Sequence, residues 1–326
     1  MVSFFKEKSP TAVFGLVIVS AVTRLFFFQQ APQIITSPGD GLMYLLLSKL
    51  SFIPAPGIGF LYHAIIILQA LRLNYALNDV RMFTKTGYTT ALAYILLTAL
   101  VPAWNNISAA LIVNSMLIWI VFRLFQLYNS PNPKTLIFNI GIIVSCTVLL
   151  YFPALPLVLL AFIAVASFRS FHLNEWMTLL LGLVTPLYFL ACCLFLNDKL
   201  IPVIQQLNIF DLQVIRPGNL AATIITFTVA VLTIVAGVYT WQSNSGRMVI
   251  QVRKNWSIIF FMLLLFIPVV FVIKDAWPFA LLLITVPAAG FVGNTFQQSK
   301  RNIFSALLFW LFIALIVYNN WIVTKF

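Results

Sequence analysis

The sequence contains very few charged residues. Asp, Glu, Lys and Arg make up 8% of its 326 residues, whereas 62% of the residues are hydrophobic. Soluble domains carry about 25% charged residues, so this composition excludes a soluble globular protein. Apolar runs of about 20 residues, the length that crosses the hydrocarbon layer, follow one another along the chain. Because every backbone polar group in lipid needs an internal partner, these runs must be helices.

Residues that commonly build catalytic or metal centres are also scarce. The chain has 3 Cys, 2 His and 7 acidic residues. Cys146, Cys192 and Cys193 all lie inside apolar runs, which argues against a disulfide framework and indicates small packing residues. The sequence also has no nucleophile elbow, zinc-protease or phosphate-loop motif. Any function must therefore be argued from isolated polar residues.

Basic residues outnumber acidic ones by 19 to 7, which gives a net charge of +12. They are scattered between the apolar runs and form no basic face with interleaved aromatic residues, so we expect no nucleic-acid partner. The positive-inside rule explains them better, since basic residues stay on the cytoplasmic side. With a cytoplasmic N-terminus, 13 of the 19 Lys and Arg fall inside. This pattern predicts a multi-pass protein of the cytoplasmic (inner) membrane, with its N-terminus in and its C-terminus out.

The apolar pattern predicts an all-α polytopic membrane protein with about 11 transmembrane helices. We expect one transmembrane domain over residues 1–326, with a core at 1–219 and additional C-terminal spans at 220–326. The predicted spans are 11–28, 58–77, 88–101, 107–127, 135–151, a short span ending at 168, 175–196, 220–241, 257–273, 277–293 and 303–323.

Two predicted outer segments, 29–57 and 197–219, are much longer than the other outer turns. Long connections in compact proteins are usually functional or disordered. The first contains the apolar run Leu42-Met43-Tyr44-Leu45-Leu46-Leu47. About ten helical residues reach only ~15 Å, half of the hydrocarbon thickness. We therefore expect a short helix at 41–50 that lies in the interface or re-enters the membrane partway.

Arg24 and Asp40 flank the start of the first outer segment. A cation inside a span, such as Arg24, is costly unless it pairs or reaches the interface. Asp40 is the only carboxylate of that segment and is a candidate general base or ligand for a divalent cation. The structural alternatives are that Arg24 reaches lipid head groups and that Asp40 is the N-cap of the following helix. His63 is a further candidate base, with a hydrogen-bonded packing role as its alternative.

The order of these parts resembles the C-type membrane glycosyltransferases, which use polyprenyl-phosphate-linked sugars. In that superfamily the first span often ends in Arg-Leu, an outer segment with an acidic motif follows, and a second long outer segment comes after the seventh span. This chain has Arg24-Leu25, then Asp40, then its second long segment at 197–219. The acidic motif departs from the family's Asp-Glu or Asp-Asp, because it reads Asp40-Gly41 here.

The resemblance implies roles for several residues at the outer face. Asp40 would be the catalytic base or hold a divalent cation, which is the only cofactor implied. Arg24, Arg216 and Lys199 would bind the lipid phosphate, although Arg216 has a solvated-loop alternative. Asp211 is a secondary acidic candidate. The implied partner is a membrane lipid or a polyprenyl-phosphate-linked sugar.

Three functions remain open on the sequence. The first is a glycosyltransferase-like enzyme that transfers a sugar from a polyprenyl phosphate carrier at the outer face. The second is a non-catalytic membrane subunit, acting as scaffold or lipid-binding partner of a larger envelope complex with other membrane proteins. It is favoured by the reduced acidic motif. A transporter is third, since Gln69, Asn74, Asn114 and Asn139 provide only a thin set of polar groups within the spans.

Overall fold

The computed structural model describes residues 2–36, 40–49, 54–198, 201, 218–273, 277–298 and 302–323. Within these ranges all regular structure is helical, apart from a single bridge between Ile34 and Ile107. The α-helices are α1 (Val2–Phe5), α2 (Pro10–Thr23), α3 (Met43–Ser48), α4 (Ala55–Asp79), α5 (Thr89–Thr98), α6 (Ala109–Gln126), α7 (Pro133–Leu150), α8 (Pro156–Phe168), α9 (Leu173–Leu196), α10 (Leu220–Asn244), α11 (Ile250–Phe266), α12 (Val269–Val272), α13 (Ala280–Gln298) and α14 (Asn302–Val317).

The chain is an all-α polytopic membrane protein, as its composition predicts. The number of spans differs from the prediction of about 11. Eight helices in the described ranges are long and apolar enough to cross a membrane. Three further apolar helices, Pro10–Thr23, Thr89–Thr98 and Phe152–Phe168, are shorter. The apolar runs lie where the sequence predicts them. In three of them, however, the helix is shorter than the 18 or more residues of the other candidate spans.

The boundaries differ most at the first and ninth predicted spans. The first is α-helical only to Thr23, and a 3₁₀ turn continues it over Leu25–Phe28. The ninth begins at Ile250 rather than 257, so Arg253 and Lys254 belong to α11 and not to the preceding loop. The short helix predicted at 41–50 is present as α3, over Met43–Ser48.

Two helices lie at the centre of the bundle. Every residue of α5 is buried, and nearly every residue of α13 is buried. Both helices pack against each other, and α13 also packs on α6, α10 and α11. The core therefore includes helices from both the first and the last third of the chain.

The bundle has two chemically different ends. One end holds Phe5, Arg81 and Asn129, because α4 and α6 end there and α7 begins there. We call it the basic end, since Lys6, Lys8, Arg81 and Lys85 lie in the chain segments at this end. The other end holds Arg24 and Trp104, and we call it the distal end. Tyr88 N–H donates to Phe5 O at the basic end, whereas Trp104 Nε1 donates to Pro278 O at the distal end. The positive-inside rule predicts that the basic end faces the cytoplasm.

Candidate functional site

Arg24 lies where α2 gives way to its 3₁₀ turn, and its side chain is 1% exposed. Its guanidinium donates to Thr23 Oγ1 at 3.2 Å, to Thr98 Oγ1 at 3.0 Å and to Ile95 O at 3.4 Å. The same group lies over the Tyr62 ring, 5.3 Å from its centroid. These contacts offset part of the cost of burying the charge. The expectation that Arg24 reaches head groups is therefore wrong, since Arg24 ties α2 to α4 and α5.

Asp40 is also buried, at 7% exposure, but it lies elsewhere at the distal end. Its neighbour Leu42 donates its N–H to Leu149 O at 3.1 Å, which places this turn on the C-terminus of α7. Tyr151 is an electrostatic neighbour of Asp40. The following helix α3 has Leu42 at its N-cap position and no side-chain cap. The N-cap interpretation of Asp40 is therefore wrong for this helix.

Gly41 explains why the acidic motif has a single carboxylate. Its φ is +59°, a backbone conformation that L side chains rarely adopt. A Cβ atom at this position would meet Leu149 O at 2.8 Å and Leu150 O at 3.1 Å. A second carboxylate beside Asp40 would need both a different backbone conformation and a looser contact with α7.

Among the described site residues, the structure places His63 beside Arg24 but does not join Arg24 to Asp40. No hydrogen bond or ion pair joins Arg24 to Asp40, both of which are described. Lys199, Asp211 and Arg216 lie outside the described residues. In the described part of the chain, no group of three or more His, Cys, Asp or Glu side chains could hold a metal ion. The residues around Asp40 do not fit an acidic cation site, and we derive no reaction step through a metal.

His63 has the packing role that the sequence left as its alternative. Its Nδ1 shares a hydrogen bond of 3.0 Å with Ser20 Oγ, and the ring lies edge-on to Phe27 and Tyr62. The imidazole thus joins α4 to α2, beside the Arg24 cluster. The contact gives His63 a complete structural explanation.

A large apolar cavity opens between the C-terminal helices and the end of α5. Its volume is about 620 Å³, within the ~300–1,000 Å³ typical of ligand-binding cavities. Its walls come from α10, α11, α12, α13 and the residues that follow α5, and none of the described lining residues is ionisable. Trp104 and Trp277 line it at the distal end, and Ala230 and Ala288 line it deeper in the bundle. Such a cavity accepts hydrocarbon and excludes charged groups.

The cavity wall is connected to the buried Arg24 cluster. Tyr62, which lies under the Arg24 guanidinium, donates its hydroxyl to Trp104 O at 3.2 Å. Trp104 in turn donates its indole N–H to Pro278 O at 2.9 Å. Arg24 thus contacts Tyr62, and Tyr62 contacts Trp104 in the cavity wall. Through these two contacts Arg24 helps to position Trp104.

A row of buried polar groups reaches the same cavity from the other side. Tyr94 donates to Gln69 Oε1 at 2.8 Å, and Gln69 donates to Ser115 Oγ at 2.8 Å. Asn114 donates to Tyr94 OH at 3.3 Å and to Thr285 Oγ1 at 3.4 Å. Thr285 belongs to the cavity wall. The row joins α4, α5, α6 and α13 and contains no carboxylate.

The sequence analysis missed this cavity entirely. Its lining residues are ordinary apolar residues of spans, and nothing in their spacing separates a cavity wall from a lipid-facing surface. The two tryptophans near span ends were the only available signal, and an aromatic belt explains them equally well.

Comparison with protein-family models, with curated proteins and with solved structures finds no match for this chain.

Proposed function

We propose that this protein binds a membrane lipid through the lipid's hydrocarbon chain, in the apolar cavity between α10, α11 and α13. The single observation that carries the proposal is the cavity itself, about 620 Å³ in volume and with no ionisable side chain among its described lining residues. Aqueous ligands need polar partners that this lining lacks, whereas an acyl or isoprenoid chain needs none. The activity is binding without chemistry, as in the non-catalytic subunit considered from the sequence.

The test uses a fatty acid that carries a photoreactive group on its chain. Ala230→Trp fills the cavity from α10, and Leu232→Trp places the same ring on the exposed side of the same helix. We expect cross-linking to the wild type and to Leu232→Trp, and loss of most cross-linking in Ala230→Trp. Equal cross-linking of both variants, with both folded, would show that the chain does not enter this cavity.

A second candidate is sugar transfer from a polyprenyl phosphate at the outer face. One observation favours it: Thr223 and Thr226 of the first turns of α10 line the cavity, and α10 directly follows the segment that contains Lys199 and Arg216. A prenyl chain in the cavity would thus bind next to the part of the sequence proposed to hold its phosphate. The single carboxylate at Asp40 weighs against this candidate.

The second candidate is tested in membranes with a labelled lipid-linked sugar. Asp40→Asn should abolish transfer if Asp40 is the base, while the control Asp198→Asn should keep it. The wild-type protein could transfer no sugar while added polyprenyl phosphate reduces its cross-linking to the photoreactive fatty acid. That pair of results would favour binding without catalysis.

A further inference from the structure

A second cavity lies at the basic end, far from the apolar one along the helices. Its volume is about 750 Å³, and it opens between the end of α4, the end of α6, the start of α7 and the start of α11. Its lining is unusually rich in side-chain amides for this chain, and these are Gln126, Asn129, Asn132, Asn139 and Gln251. A polar cavity among spanning helices, in a protein with so few polar residues, requires an explanation.

Positive charge dominates the surroundings of this cavity. Arg81 lines it, and Arg123 donates to the lining residue Gln126 at 3.1 Å. Lys134 belongs to the first turn of α7 but lines a separate, smaller cavity with Glu175. Lys254 lies over the ring of Tyr128, which precedes the lining residue Asn129, at 5.6 Å. Asp79 is the only carboxylate that lines the cavity.

The charged groups that line the cavity are not paired with each other. Arg81 and Asp79, both described, form no ion pair with each other. The N-cap residue of α7, Asn132, makes no capping hydrogen bond with its side chain. The positive end of the α7 dipole therefore adds to the field of Arg81. An anion with several hydrogen-bonding oxygens fits this combination of charge and amides.

The lining is also partly apolar, through Val80, Phe125 and Leu136. A freely soluble phosphate has no use for these side chains, whereas a lipid has a glycerol region and chains directly below its phosphate. Basic cavities between spanning helices at the cytoplasmic boundary are typical sites for anionic lipid head groups. The cavity has this position and this mixture of groups.

We propose that the basic-end cavity binds the head group of an anionic phospholipid, with the phosphate near Arg81 and the polar head-group atoms on the amides. This inference is independent of the proposed function, because the two cavities share no lining residue. It assigns the amides of the α6–α7 connection to lipid recognition.

The experiment counts lipids retained by the purified full chain, using native mass spectrometry after exchange into phosphatidylglycerol or phosphatidylcholine. We expect retention of phosphatidylglycerol over phosphatidylcholine. Arg81→Gln should weaken phosphatidylglycerol binding about fivefold, as expected for one basic charge at a membrane surface. Asp79→Asn should strengthen binding, because it removes the only carboxylate of the lining.

Two controls make the result specific. Lys8→Gln removes one exposed positive charge from the basic end without touching the cavity, and it should leave binding unchanged. Ala230→Trp, which fills the apolar cavity, should also leave it unchanged. Equal retention of both lipids, displacement of phosphatidylglycerol by inorganic phosphate alone, or equal effects of Arg81→Gln and Lys8→Gln would each overturn the proposal.

Discussion

Gly41 shows how a single residue restricts what the outer face can do. Its positive φ and its contact with the C-terminus of α7 leave no room for a side chain. The acidic motif is the point at which the chain departs from the C-type glycosyltransferases that it resembles, and a second acid after Asp40 would need a different backbone here. At the residue scale, the structure therefore gives a physical reason for the single carboxylate at Asp40.

We predict that Gly41→Ala destabilises the protein by about 2–4 kcal/mol, from the left-handed backbone and the contact with Leu149 O together. The measurement is thermal unfolding in detergent. Gly246→Ala is the matched control, because a Cβ atom there meets nothing within 4 Å. A Gly41→Ala protein as stable as the control would contradict the close contact between this turn and α7.

Arg81 illustrates the opposite situation, a side chain in a conformation that suits glycine. Its φ is +53°, and the N–H of Met82 donates to Leu77 O in a helix-ending motif that commonly carries glycine. A strained residue that stays beside a cavity suggests that its side chain has a role there.

We predict that Arg81→Gly raises the free energy of unfolding by about 0.5–1 kcal/mol. Glycine removes the strain of the left-handed backbone, but it also gives the unfolded chain more conformational freedom, which cancels part of the gain. Binding of anionic lipid should fall in the same variant. Thermal unfolding of the lipid-free protein measures the stability, and native mass spectrometry measures the anionic lipid retained by the same variant. A variant that is less stable than the wild type would show that Arg81 stabilises the helix end itself.

At the scale of helices, the hydrophobic runs were sufficient to predict the type and order of the elements. They were not sufficient for helix ends. Thr23 ends α2 because the chain turns into a 3₁₀ segment that buries Arg24 against Thr98, a contact 74 residues away in sequence. Arg253 and Lys254 continue α11 because long basic side chains are good helix formers at a membrane boundary. The candidate sites escaped prediction because both are spaces between packed helices, and the apolar pattern of a single helix does not show how it packs on its neighbours.

The α7–α9 contact depends on glycine in both helices. A Cβ atom at Gly141 would meet Leu179 O at 2.8 Å, and one at Gly182 would meet Phe138 O at 2.5 Å. Small residues allow such close approach between membrane helices, where packing replaces the hydrophobic effect as the source of association.

We predict opposite effects of one substitution at two glycines. Gly182→Ala should destabilise the protein by about 1–3 kcal/mol, because the helices must separate. Gly59→Ala should stabilise it by about 0.5–1 kcal/mol, since α4 gains a better helix former. There the added Cβ makes only ordinary contact with Pro32, at 3.8 Å. Chemical or thermal unfolding of the two variants under one condition measures both effects. A Gly182→Ala protein at least as stable as the wild type would contradict the α7–α9 packing.

At the scale of the whole molecule, the number of crossings decides on which side each terminus lies. Eight crossings would put both termini on the same side, whereas eleven would put them on opposite sides. The central helix α5 separates the two chain ends. Tyr88 N–H, at its start, donates to Phe5 O at 2.7 Å, and Asn319 donates to Leu100 O, just after its end, at 2.8 Å. The N-terminal and C-terminal parts thus contact opposite ends of the same helix.

We therefore predict that the three shorter apolar helices also cross, and that the C-terminus lies outside while the N-terminus lies inside. A reporter enzyme active only outside the cytoplasm should work when fused after Phe326 and fail when fused before Met1. Single cysteines give a second reading: Val249→Cys at the basic end should react with a membrane-impermeant maleimide only after lysis, and Gln33→Cys should react in intact cells. Both positions are exposed.

A C-terminal reporter active only in the cytoplasm would mean that an even number of helices crosses. The distal end could not then be assigned to the outer face, and sugar transfer at Asp40 would lose its compartment, whereas lipid binding in the apolar cavity would stand.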